Sequence, residues 1–197
     1  MPDSLPTVGP PADVARALDA VRTTVLRPEL SVSEIPAPAS LAPWSAALAG
    51  DVTPARHSTN SELGTGRFIL LCDPEEPEAW GGPYRVICYA QAPLETEMGV
   101  DPFLAEVAWS WLMDALAVRH AEYANASGTA TTVLSTGFGE LTGQNGAQLE
   151  LRASWSPATP EMAAHVESWG DLLCMLAGLP PATEGVIVMS PRRKGMR

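Results

Sequence analysis

Two runs, RFILLCDP from Arg67 and YRVICYAQAP from Tyr84, are separated only by EEPEAWGGP. Both are rich in β-branched and aromatic residues and bounded by turn formers, a pattern that predicts two antiparallel strands. A second pair, Thr129 to Phe138 and Ala147 to Trp155, flanks the Gly-rich loop GELTGQNG and reads as another hairpin. Strand pairs joined by tight turns argue for an α+β fold. The expected form is an antiparallel sheet of four to five strands with helices packed mainly on one face.

The remaining segments supply helices. Val14, Ala17, Leu18, Val21 and Val25 fall at helical spacing in a segment that starts near Pro11 and that Pro28 stops, with Arg27 near its negative end. LSVSEIPAP alternates like a short edge strand ending in prolines, and LAPWSAALAG reads as a short helix closed by Gly50. Residues 51 to 66 read as a polar loop. Asp101-Pro102 opens a helix reaching about His120. Thr159-Pro160-Glu161 opens the last, which Gly178 and Pro180 close. Residues 1–10 are expected to be a flexible tail, 11–180 one domain, and 181–197 a tail with a basic end.

Net charge is −11, but the last seven residues, PRRKGMR, hold four cations and no acid. Residues 1–190 therefore carry 8 Arg against 23 acids, a net of −15. So acidic a body is a poor binder of nucleic acid, which needs clustered cations; only weak contact through the tail is expected. No apolar run is long enough to predict a membrane span. The proline-broken, acidic N-terminus lacks the pattern of a signal peptide, so the expected location is the cytoplasm. Cys72, Cys88 and Cys174 are odd in number and set in apolar surroundings, and are expected to be buried free thiols.

There is no phosphate loop, nucleophile elbow, HExxH or CxxC pair. No catalytic residue, metal ligand or cofactor is assigned. His57, His120 and His165 are scattered; His165 with Glu161 or Glu167 could form a folded-up metal site, and either of two acid clusters could hold a hard cation, but structural roles are preferred for all of them. The acids Glu75, Glu76 and Glu78, and Glu95, Glu97 and Asp101, read as solvated loop charge.

Blocks such as RPELSVSEIPAPASLAPWSAALAGDV, GRFILLCDPEEPEAWGGPYRVICYAQAPLETEMGVDPFLAEVAWSWLMDAL and LELRASWSP resemble an actinobacterial family catalogued as a domain of unknown function, number three thousand in its series. The resemblance spans roughly residues 15–180. It implies a bacterial cytoplasmic protein and carries over no catalytic residue. It also brings an association with genes beside a ribonuclease-D-like exonuclease, and so implies an accessory role to such an enzyme as one alternative. The element order is similar to that of type III secretion chaperones, which are dimeric protein-binding modules; this is analogy at the level of fold.

Two surfaces stand out. By alternation, Arg67, Ile69, Leu71, Arg85, Ile87, Tyr89, Glu150 and Arg152 share the outer face of the sheet. Arginines beside apolar and aromatic residues suit recognition of a carboxylate, a phosphate or a protein surface. The second surface is a stripe on the central helix. Trp109 and Trp111 point about 200° apart; Trp111, with Leu104, Val107, Ala108, Leu112 and Ala115, is expected on the sheet, and Trp109, with Met113 and Leu116, on a second stripe open to another helix or a partner. The expected function is a non-enzymatic binding or adaptor module with a protein partner or a second copy on Arg67, Ile69, Arg85, Ile87, Tyr89, Arg152 and Trp109. A dimer through the outer face, broken by Ile87→Asp with Tyr89→Asp, is one expectation. A small-ligand or enzymatic pocket lined by the arginines is the alternative.

Overall fold

The computed structural model describes residues 9–53 and 63–180. Residues 1–8 of the expected N-terminal tail, the expected tail 181–197 with its basic end, and His57 lie outside the described residues. The order is α1 (Ala12–Thr23), β1 (Leu30–Ile35), β2 (Trp44–Val52), β3 (Gly64–Cys72), β4 (Tyr84–Leu94), α2 (Thr96–Gly99), α3 (Leu104–Val118), β5 (Tyr123–Ser135), β6 (Gly146–Pro157) and α4 (Ala163–Leu176). The strands form one open antiparallel sheet in the order β1-β2-β3-β4-β6-β5. It is an α+β fold with six strands among the described residues rather than four to five.

The extra strand is β2, in a segment whose composition predicts a helix. Ala and Leu carry high intrinsic helix propensity, but that preference is weak beside pairing on both sides. Ala47 to Val52 pairs with β1 and β3, and tertiary context decides. Gly50 closes no helix: it lies opposite Gly66 in the ladder. The interval 51–66 is strand at both ends, since β2 runs through Val52 and β3 begins at Gly64.

The helices lie on the sheet face formed by Phe68, Leu70, Val86, Cys88, Leu149, Leu151 and Trp155, all buried. Helix α1 buries Val14, Ala17, Leu18 and Val21 as expected, but ends at Thr23, well before Pro28. The Thr23 and Thr24 hydroxyls donate back to the Asp19 and Ala20 carbonyls and Thr24 turns extended, which stops the helix and leaves Val25 solvent-exposed. Arg27 instead donates to the Pro180 carbonyl and pairs with Glu29. Asp101 accepts the Phe103 N–H at 2.9 Å, an Asx turn, so α3 starts at Leu104. It ends at Val118, and His120 follows in the left-handed region at φ 54°. Gly178, at φ 76°, closes α4: its N–H donates to Met175 and that of Leu179 to Cys174, a Schellman motif. Strand β5 begins at Tyr123, well before Thr129, because Asn125 at φ 53° and a bulge between Ala124 and Ser127 carry pairing through a stretch that reads as loop.

Both tryptophans of α3 are half-buried against the core. The fully buried stripe is Leu104, Ala108, Leu112, Ala115 and Leu116, and at about 100° per residue Trp109 and Trp111 border it on opposite sides. Trp109, expected on a stripe away from the sheet, meets β5: a Cβ on Gly128 would lie 2.7 Å from its ring. Val107, expected in the core, is exposed. The fully buried tryptophans are Trp155 and Trp169. Trp109→Ala and Trp111→Ala should therefore each cost only about 1–2 kcal/mol, about half the value of a fully buried large side chain. Urea unfolding checks this; a loss at Trp111 as large as that at Trp169 would place its ring inside the core.

Candidate functional site

Residues alternate in a strand, so burying Phe68, Val86, Cys88 and Leu151 under the helices turns Arg67, Ile69, Ile87, Tyr89 and Arg152 to the opposite face. Register then fixes neighbours. Arg67 stands opposite Tyr89, and Tyr89 opposite Arg152, giving a transverse row across β3, β4 and β6. In an adjacent row Ala47, Ile69, Ile87 and Ser154 are side by side. On the other side of the arginines lie Thr65, Gln91 and Glu150. Thr65, Arg67, Ile69, Ile87, Tyr89, Gln91 and Arg152 line a half-open depression of about 560 Å³.

Its charges are partly spoken for. Arg152 Nε is 2.6 Å from Glu150 Oε1, and its guanidinium lies 5.7 Å from the Tyr89 ring centre. The Tyr89 hydroxyl is 3.0 Å from Glu150 Oε2 and also within hydrogen-bond reach of Gln91 Oε1. Burial, then the Glu150 hydrogen bond and charge, raise the Tyr89 pKa above its ordinary value, so the hydroxyl stays protonated and donates. Arg67 is exposed and makes no hydrogen bond or ion pair with any described residue. The Arg152–Glu150 pair is solvent-exposed on its arginine side, where such pairs contribute at most about 1 kcal/mol. An incoming carboxylate can compete for it.

Five of the seven expected site residues meet here: Arg67, Ile69, Ile87, Tyr89 and Arg152. Arg85 does not. It shares the face but its guanidinium donates to the Asn125 carbonyl and the Ser156 hydroxyl. The connector between β3 and β4 folds over this end: the Trp80 carbonyl accepts from Ser156 Oγ at 2.6 Å and from Asn125 Nδ2 at 3.0 Å. Arg85 is thus an anchor for that connector. Trp109 lies under the other face of the sheet, against Gly128. Thr65 and Gln91, absent from the expected set, were legible by alternation, two positions before Arg67 and two after Tyr89.

Other chemistry-bearing groups are committed to structure. Cys72, Cys88 and Cys174 are buried and unbridged, and burial pushes their thiols up to about 12, 12 and 11; they are not activated nucleophiles. His165 is buried with Nδ1 accepting from Trp155 Nε1, while Glu167 pairs with Arg119 and Glu161 lies near Arg16. Those three do not converge on a metal, and no group of three or more potential ligands does so among the described residues. No described helix is long and apolar enough to cross a membrane.

No curated protein and no solved structure matches this chain. A family model does, over residues 10–187, and on that match the chain belongs to the family described as protein of unknown function DUF3000.

Proposed function

We propose that the protein is a non-enzymatic binding module whose working surface is the outer face of β3, β4 and β6, and that this face takes an acidic, apolar-bearing segment of a partner protein. The observation that carries this reading is the Arg67–Tyr89–Arg152 row beside Ile69 and Ile87, on a face that no described helix covers. Residues 1–190 hold only 8 arginines, and Arg67 and Arg152 stand together here with Glu150 as the near acid. A cationic row on an acidic body is complementary to carboxylates and steers them locally. The half-buried isoleucines and tyrosine supply the apolar and aromatic centre typical of interface anchors.

A small anionic ligand is the second reading, since the depression has the volume of a ligand site. Its half-open shape and the commitment of Arg85 elsewhere favour the protein segment. The test is amide chemical-shift mapping with two synthetic peptides sharing leucine and phenylalanine positions, one with Glu and Asp, one with Lys. The acidic peptide should shift the amides of Arg67, Ile69, Ile87, Tyr89 and Arg152 saturably. Arg67→Glu with Arg152→Glu should weaken it at least tenfold while leaving circular dichroism unchanged. Equal binding of the basic peptide, or shifts confined to other elements, would reject the reading. Binding of citrate or inorganic phosphate but neither peptide would favour the small ligand.

A further inference from the structure

The two edges of the sheet are not alike. An edge strand presents unpaired backbone amides and carbonyls, and proteins blunt such edges with short strands, charges, prolines or bulges. Strand β1 has these devices: it is six residues long, contains Glu34, and has Pro28 before it and Pro36 and Pro38 after it. Strand β5 is thirteen residues, YANASGTATTVLS, with no charge and no proline. Its one bulge lies at its start, so Ser127 to Ser135 is a regular run of nine residues paired, among the described residues, on one side only, to β6. Thr129, Thr131, Thr132 and Val133 are β-branched, the residue class that pairs best in strands.

Exposed apolar surface gathers on the same side. Ten of the twelve exposed large apolar side chains among the described residues fall between Met98 and Leu141, the stretch containing α2, α3 and β5. Val133 is 45% and Leu134 51% exposed. Helix α2 sits on Leu134, since a Cβ on Gly99 would lie 2.6 Å from its Cδ2. Met98, Val100 and Phe103 therefore extend the apolar surface around the end of β5.

We infer that the β5 edge is a dimer interface, joining two copies into one continuous antiparallel sheet. The occupant is a second copy because of charge and symmetry. A body of net −15 repels its own copy, and the thirteen residues of β5 are a stretch without acids along which two chains can approach. A two-fold contact needs only one self-complementary element. With the axis at Thr131, the midpoint of the regular run, Thr131 meets itself and Thr129 meets Val133 of the partner subunit. These are β-branched pairs with no like charges opposed. The same register sets Leu134 of the partner subunit opposite Gly128, on which the half-exposed Trp109 ring rests. Gly128 makes room for that ring, and the second copy covers it. This interface runs along the β5 edge, whereas the outer-face reading concerns the row on β3, β4 and β6, of which Arg152 is the member nearest to it, opposite Thr129.

The experiment uses the full chain in sedimentation at micromolar concentration, beside circular dichroism. Wild type should be a dimer, and Thr131→Lys with Val133→Lys, both at exposed positions, a folded monomer. The outer-face pair Ile87→Asp, Tyr89→Asp should remain dimeric. In a second arm Thr131→Cys, oxidised, should give a disulfide-linked dimer, because cross-strand Cβ atoms on the axis lie within about 5.5 Å; Ser31→Cys on β1 should not. A monomeric wild type overturns the inference. So does a dimer that survives both lysines, or a Thr131→Cys protein that cross-links no faster than the Ser31→Cys protein.

Discussion

Trp169→Ala is expected to lower stability by about 3–5 kcal/mol, the range for a large aromatic removed from a core that cannot close around the space. Trp169 is fully buried, its ring 5.9 Å from that of Phe68. It lies in a trough made by Gly50 and Gly66, which face each other across β2 and β3. A Cβ on Gly50 would be 2.8 Å from the indole, and one on Gly66 would be 2.5 Å from Leu173 Cδ2 and 2.6 Å from the Tyr89 carbonyl oxygen. The trough floor is thus backbone, held by hydrogen-bonded ladders on both sides, and has no side chain to swing into the vacancy. Urea unfolding at unchanged m-value reads the loss; below about 1.5 kcal/mol, α4 would have to settle onto the glycines. Gly66→Val tests the trough from the other side. Leu173 can shift, but the Tyr89 oxygen belongs to the ladder, so this substitution should be destabilising even where Trp169→Ala has already made room.

That trough also marks where sequence patterning stops being informative. Strands β3, β4 and β6 were legible because Phe68, Leu70, Val86, Cys88, Leu149 and Leu151 alternate with a second set that includes Arg67, Arg85, Glu150 and Arg152, and one-residue slips would bury those charges. Strand β2 was not. Its core face is Ala46, Leu48, Gly50 and Val52, small because α1 and Trp169 press on it. Small residues give weak alternation and strong helix propensity, so local preference pointed one way and packing the other. A glycine read as a helix terminator is a packing glycine, and only the partner aromatic far along the chain explains it.

The outer face was legible for the same reason as the strands: once the buried set is known, alternation leaves no choice about Arg67, Ile69, Ile87, Tyr89 and Arg152. What alternation cannot supply is the path of the connectors. Arg85 has the right parity, but the turn carrying Trp80 folds back over its end of the sheet, and the groups that hold that turn take its guanidinium. The two tryptophans of α3 do point about 200° apart, yet helical geometry alone cannot say which flank meets the sheet. Gly128 settles it for Trp109, and nothing near Gly128 in sequence signals that role. The uncharged β5 edge, by contrast, was in plain view as composition, and acquired meaning only when β5 proved to be the outermost strand.

Lowering the pH from about 7 towards 4 should cost the fold roughly 3 kcal/mol through His165 alone. Its imidazole is buried in α4, and Nδ1 accepts the Trp155 indole N–H at 3.1 Å. That bond requires Nδ1 without a proton, so the ring is neutral with its hydrogen on Nε2. Burial pushes the pKa down to about 4, against about 6.5 in the unfolded chain. Between those values the unfolded state binds the proton and the folded state does not. Stability is therefore complete above about pH 6.5, falls by up to about 1.4 kcal/mol per unit as pH drops, and stops falling from this source below about pH 4. Urea unfolding at about pH 7, 6 and 5 stays largely above the carboxylate range. His165→Gln is the control, because its amide oxygen can accept the indole N–H and does not titrate. Wild type should lose close to one proton's worth of stability per pH unit more than this variant below about pH 6. Parallel slopes in the two proteins would mean that the folded state protonates His165 freely, and that the Trp155–His165 contact opens to water.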